Sequence, residues 1–215
     1  MSKRNLVISI LIAPLMALLI WYHGSSTPLS SAEVENLMST IQKQSHSPGG
    51  RHDLKALRSF LESDDGQPFY TVNLYRYHPM AQYAPGSEGA KVYIDDNGRA
   101  AFDRFSKVML PLLASHGSHP IFGSNWTHDE SSAWDRIVIV KYRSRRDIAE
   151  IFANDEFAQA SEHKWAALEA NERLLVQGLH IPSFYLVLFT LILLVLITSF
   201  FLRKKKARLV DTRLD

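Results

Sequence analysis

Three histidines, His116, His119 and His128, fall within one short stretch, and neutral imidazole is a common metal ligand. The spacing argues against a metal. His116-x-x-His119 straddles a helix end and a turn, and no carboxylate stands at a recognisable ligand spacing, so neither a metal nor a cofactor is expected. A better set is Asn73, Tyr75, Arg104, His119, Trp126 and Arg136. These polar and aromatic side chains fall on expected strands and the first domain helix, where they could line one cavity of mostly apolar wall with a few convergent polar groups. His119 would then serve as a base, with Arg104 or Arg136 stabilising an oxyanion or enolate on an acidic substrate. The competing expectation is structural: the arginines pair with Asp103, Asp135 and Glu172, and the aromatics fill a subunit interface. Arg143, Arg145 and Arg146 form a basic knot, read as a solvated surface, with an anion or lipid-headgroup site as the alternative. There is no Gly-rich phosphate loop, nucleophile elbow or zinc-protease motif, and no catalytic residue is assigned. Asn125-Trp126-Thr127 matches a glycosylation acceptor, which matters only in a eukaryotic secretory pathway.

The elements that would position these residues alternate in type. Ser30 to Gln44 carries a capping serine, an early acid, and Val34, Leu37, Met38 and Ile41 at helical spacing. After the SHSPGG break, Asp53 to Ser63 resumes with Leu54, Leu57, Phe60 and Leu61 on one stripe. These two helices form a stalk or lid whose apolar faces pack on the domain or on each other. Pro68 to Tyr77, dense in β-branched and aromatic residues, predicts the first strand, with Tyr70, Val72, Leu74 and Arg76 on one face and Thr71, Asn73, Tyr75 and Tyr77 on the other. A long loop, His78 to Asn97, leads to a helix over Gly98 to Ser115 with Pro111 inside it. Strands follow at His119–Trp126 and Trp134–Arg143, then a helix capped by Ser144 that loosens at Asn154 and Asp155 and runs on to Leu168, then a strand from Arg173 to Leu179. The order β, α, β, β, α, β is the split βαβ, ferredoxin-like plan of the α+β class: a four-stranded antiparallel sheet with its helices on one face. Both faces of the first strand carry aromatics, so two copies are expected to stack back to back.

Several strings resemble the dimeric α+β-barrel superfamily, especially its small bacterial members: FYTVNLYRY from Phe69, WDRIVIVKYRSRRD from Trp134, and NDEFAQASEHKWAALE from Asn154. Where that family typically has a Pro-Glu-Tyr-like segment, this chain reads Asn154-Asp155-Glu156-Phe157. The resemblance spans roughly residues 66–180 and implies the fold and a homodimer. It does not choose a chemistry, because the superfamily includes cofactor-free monooxygenases, haem enzymes and isomerases.

Composition adds an address. Phe184 to Leu202 is a run of nineteen residues without a charge, about enough to cross a 30 Å hydrocarbon core as a helix. Arg203, Lys204, Lys205, Lys206 and Arg208 follow it, and Lys3 and Arg4 precede a second apolar run, Leu6 to Tyr22. That run ends in Trp21, Tyr22 and His23 rather than at a small-residue cleavage site, which favours an uncleaved anchor. The positive-inside rule then puts both termini in the cytoplasm and the central domain outside it. The expected organisation is an anchor over 1–23, a helical stalk or lid over 24–65, the ferredoxin-like domain over 66–180, a second span over 181–203 and a basic tail over 204–215. Setting aside both terminal segments leaves 16 bases against 20 acids between them, a poor footprint for nucleic acid. No cysteine is present, which removes disulfides and thiol chemistry. The sequence therefore points to a two-pass protein of a bacterial inner membrane that displays a homodimeric binding or assembly module. The alternative is a cofactor-independent enzyme, of monooxygenase or isomerase type, acting on a small lipophilic substrate.

Overall fold

The computed structural model describes residues 27–44, 52–93, 96–124, 133–178, 190 and 192–201. Two helices lead, α1 (Ser31–Gln44) and α2 (Leu54–Glu62); then come β1 (Phe69–Tyr77), α3 (Glu88–Val92), α4 (Gly98–Ser115), β2 (His119–Gly123), β3 (Arg136–Tyr142), α5 (Arg145–Phe152), α6 (Asp155–Ala167) and β4 (Leu168–Val176). The strands form one antiparallel sheet in the order β2-β3-β1-β4. The class is therefore mixed α+β. Among the described residues, those through Gln177 form one compact unit and those from Gly178 onward form another.

β1 is central, and its alternation decides which face does what. Phe69, Thr71, Asn73 and Tyr75 are buried, whereas Val72, Leu74 and Arg76 are only half-buried. The odd-numbered residues therefore face the helical layer. Register extends this assignment across the sheet: Val138, Val140 and Tyr142 of β3 and Asn171, Arg173 and Leu175 of β4 lie opposite them. The core joins Phe69, Tyr75 and Tyr142 of the sheet to Phe102, Phe105 and Leu113 of α4, Ile148 and Phe152 of α5, Phe157 of α6 and Ile41 of α1.

Local chemistry sets the boundaries of α4. Asn97 Oδ1 accepts the Ala100 N–H at 2.8 Å, a side-chain cap on a free helix donor. At the other end Gly117 takes φ +65°, while the Gly117 and Ser118 amides donate to the Ala114 and Leu113 carbonyls. This paired return to the last turn is a Schellman motif. At its start Gly98 crosses the backbone where β1 ends and β4 begins; a Cβ there would lie 2.5 Å from the carbonyl oxygens of His78 and Ala167. Pro111 lies inside the helix on its exposed side.

The structure moves two boundaries. β4 begins at Leu168, five residues before the expected Arg173, and α6 passes into it without a loop. The expected single helix from Ser144 is two, broken at Ala153, and Asn154 Oδ1 caps the second through the Glu156 and Phe157 amides.

The leading helices are docked on the domain. Ser30 and Glu33 form a capping box on α1: the Ser30 N–H donates to Glu33 Oε2 at 2.9 Å and the Glu33 N–H to Ser30 Oγ at 3.4 Å. Val34 and Met38 of α1 and Leu61 of α2 close on Ala149 of α5, while Gln44 Nε2 donates to the Ala153 carbonyl and to Asp155.

Among the described residues no helix is long and apolar enough to cross a membrane. The expected span at 1–23 lies wholly outside the described residues. Of the span at 181–203 only Thr190 and residues 192–201 are described, as helix, and the basic tail at 204–215 is also outside.

Candidate functional site

The helix face of the sheet does not meet α4 and α6 everywhere. A cavity of about 320 Å³ remains, walled by Thr71, Asn73 and Tyr75 of β1, Val138, Val140 and Tyr142 of β3, Phe102, Phe105 and Met109 of α4, and Lys164 of α6. Its volume is at the lower end for small-molecule sites. A second space of about 340 Å³ adjoins it under α2, lined by His52, Leu57, Phe60, Trp165 and Asn171. Phe152, Phe157, Lys164 and Arg173 border both.

Three cations stand in the polar lining. Arg136 of β3 lies opposite Tyr75 in register, and its Nε is buried without a partner. Arg173 of β4 lies opposite Asn73 and sets its guanidinium 5.8 Å from the Phe152 ring centre. Lys164 is 4% exposed. Its Nζ lies 4.8 Å from the Trp165 ring centre, 5.7 Å from that of Phe105 and 6.0 Å from that of Tyr75. No carboxylate pairs with it among the described residues, and the acid on the first cavity's wall, Asp103, is exposed. Burial, with Arg173 adding to it, holds the Lys164 amine well below the usual lysine range; a charged ammonium without a counter-ion is expensive in a low-dielectric interior.

The remaining polar groups are ordered. Asn73 is buried and spends both amide protons, on Thr71 Oγ1 at 2.9 Å and on the Val138 carbonyl at 3.1 Å. Its carbonyl oxygen is the hydrogen-bonding capacity left over. Burial raises both Tyr75 and Tyr142, the latter to about 12, so both phenols stay protonated at neutral pH. His52 is pushed down to about 4, first by burial and then by Arg173 and Lys164. Asn171 Oδ1 is buried without a partner in the second space.

Of the six side chains expected to share a cavity, Asn73, Tyr75 and Arg136 do. His119 does not. It pairs in register with Lys141, which lies opposite Tyr70 on the other face of the sheet, so a base at that position cannot act on a molecule in this cavity. Arg104 is also elsewhere. It ion-pairs with Asp96, stacks its guanidinium 3.8 Å over the Tyr93 ring and approaches the Tyr83 hydroxyl, which hydrogen-bonds His163 Nδ1 at 2.9 Å. That cluster borders a separate open groove with Glu88, Glu156 and Glu162. Trp126 and His128 lie outside the described residues.

The expected arginine pairings are replaced by others. Asp135 accepts the Tyr77 N–H at 2.7 Å, and Arg104 takes Asp96. The arginines of the basic knot are partly buried and spend donors on the fold. Arg145 donates to the Phe60 carbonyl at 2.7 Å and to Ser63 Oγ at 2.6 Å, Arg146 pairs with Glu33 at 2.6 Å, and Arg143 pairs with Asp147 at 2.9 Å. Two of the three thus fasten the leading helices to α5. Among the described residues no three His, Cys, Asp or Glu side chains gather as for a metal ion.

Sequence reasoning missed Lys164 and Arg173. The signal for Lys164 was present: it follows Phe157 and Ser161 at helical spacing on the buried stripe of α6, a place where a lysine needs a reason. Arg173 carries no such signal in the sequence, where it only marks the expected start of a strand.

No protein-family model and no curated protein matches the chain. Two solved structures do. One is the methylated RPA0582 protein, at 19% identity and TM-score 0.52, with 62% of this chain covering 96% of that one. The other is the RPA0582 protein of unknown function from Rhodopseudomonas palustris, also at 19% and 0.52, with coverage of 61% and 97%. At this identity the likeness establishes the fold alone.

Proposed function

We propose that this chain is a membrane-anchored domain of the ferredoxin-like, dimeric α+β-barrel type that binds a small anion with an apolar body in the cavity between the sheet and α4 and α6. The observation that carries the reading is the cavity's imbalance. The buried Lys164, the half-buried Arg136 and the exposed Arg173 line it against one exposed acid, Asp103, among rings and aliphatic side chains. A fold interior leaves cations unpaired only at a cost, and an anion would offset it. The cofactor-free enzyme is the second reading, favoured by a buried amine without a counter-ion.

The dimer reading rests on the sheet face away from the helices. Phe122, Ile139, Val72 and Leu174 align across all four strands, beside Ile137, Leu74 and Val176. Phe122, Leu174 and Val176 are each 43–51% exposed. A second copy of the same face would cover this apolar row. The membrane reading rests on the sequence runs and on residues 192–201, where Leu194, Val195, Leu196 and Phe200 are about three-fifths exposed. Thr198 satisfies its hydroxyl on the Leu194 and Val195 carbonyls at 2.9 Å, as a side chain facing lipid must. The domain would then lie on the extracytoplasmic side of a bacterial inner membrane, with both termini inside.

Thermal shift of the full chain in detergent tests the site. Benzoate should raise the unfolding temperature and neutral benzamide should not, and Arg136→Gln with Arg173→Gln should remove the response. Equal shifts with benzoate and benzamide would sink the anion reading.

A further inference from the structure

We infer that Lys164 is an imine-forming amine, and that the molecule taken into this cavity carries an aldehyde or ketone beside its anionic group. The inference rests on the anion-site reading and narrows its ligand. Lys164 stands on the wall shared by the two spaces, so its amine is reached from the sheet side and from beneath α2. It is the buried nucleophile of the site, and no acid holds it as an ammonium among the described residues. Desolvation and the adjacent Arg173 disfavour its protonated form, and the free amine is the form in which lysines attack carbonyls.

The surroundings suit both ends of the step. The amine nitrogen forms a bond to the carbonyl carbon, and one amine proton passes to the oxygen to give a carbinolamine. Loss of water, with the second proton leaving on it, gives the imine. No oxidant or co-reactant is consumed. Uptake of one proton from solvent makes the iminium, and its cation would lie near the ring faces of Trp165, Phe105 and Tyr75 that surround Nζ at 4.8, 5.7 and 6.0 Å. Such faces stabilise a desolvated cation. Arg173, on the same wall, is placed to take the ligand's carboxylate. His52 and Asp53 at the start of α2, with Asp103, Arg136 and Tyr142 on the sheet side, complete the titratable groups around the amine; the Asp53 carboxylate accepts the Ala56 N–H as the α2 cap.

The test is reductive trapping on the full-length wild-type protein in detergent, using 4-carboxybenzaldehyde and sodium cyanoborohydride, with the modified peptide located by mass spectrometry. Lys164 should react at least about tenfold faster than the exposed Lys43, Lys55, Lys91 and Lys107, the gain in free amine that each unit of lowered pKa brings. Lys164→Met should lose that fast adduct alone. Mapping on the wild type keeps the test independent of how any variant folds. Label on the surface lysines with Lys164 untouched, while benzoate still binds, would overturn the imine and leave the anion site standing. Loss of benzoate binding as well would overturn both.

Discussion

Two clusters of basic side chains, one at the start of α5 and one on the cavity wall, meet different fates. At the start of α5, Arg143, Arg145 and Arg146 each hold a carboxylate, a carbonyl or a hydroxyl. Around the cavity, the buried Lys164 amine holds none among the described residues. Charge in the sequence looks alike in both places. Partnership separates a fastening from a site: a paired cation has spent its donors on the fold, while an unpaired buried one keeps them for a ligand.

The largest effect should come from breaking the fastened side at its core. Ile41 of α1 is fully buried within the main cluster. Ile41→Ala should cost about 2–5 kcal/mol through lost burial and the cavity left behind, seen as a lower denaturant midpoint in one cooperative transition. A variant unfolding like wild type would mean that α1 is a detached stalk, and the comparison between clusters would lose one member.

Next comes the pH response of the cavity side. His52 packs its ring 4.6 Å from Phe152 and faces Arg173 and Lys164. Its pKa falls from 6.5 to about 4 in the folded state. The unfolded chain therefore binds the proton first as pH drops. This contribution is fully present above pH 6.5, is lost progressively towards pH 4 and levels off below it. The loss is up to about 3 kcal/mol. Urea melts of wild type and His52→Phe across that window should diverge in slope; parallel curves would show that His52 does not titrate in this way.

The sequence made the frame readable for physical reasons. β1 and β3 are runs of β-branched and aromatic residues, α4 has a cap and a stop of its own, and the amphipathic stripes of α1 and α2 announce a docked face. What it hid depends on tertiary choices. Aromatics on both sides of β1 leave open which side the helices cover. His119 reached the other face because the Schellman turn and the irregularity between Pro120 and Phe122 reset its parity. The start of β4 was masked by Ala166, Ala167, Leu168, Glu169 and Ala170, which favour helix until pairing with β1 overrides them. Half the expected site emerged because Asn73, Tyr75 and Arg136 share one face by strand alternation and register. Arg173 joined them only once the β4 register was known.

The smallest effect is the most direct comparison, because one substitution should act with opposite signs in the two clusters. Arg145→Met removes two short hydrogen bonds and the guanidinium stacked 4.7 Å over Phe60, leaving the Phe60 carbonyl poorly satisfied. It should destabilise by about 1–2 kcal/mol. Lys164→Met replaces an amine whose charged form burial disfavours with an apolar chain of similar length. Because the unfolded chain takes up a proton on Lys164 below pH 10.5, the native lysine lowers stability at neutral pH, and its removal should raise stability by about 1–2 kcal/mol. Denaturant melts at neutral pH read both. If Lys164→Met also destabilises, the lysine is a structural strut whose stem packs the core, and the cavity loses its claim to hold a residue kept for chemistry at the expense of the fold.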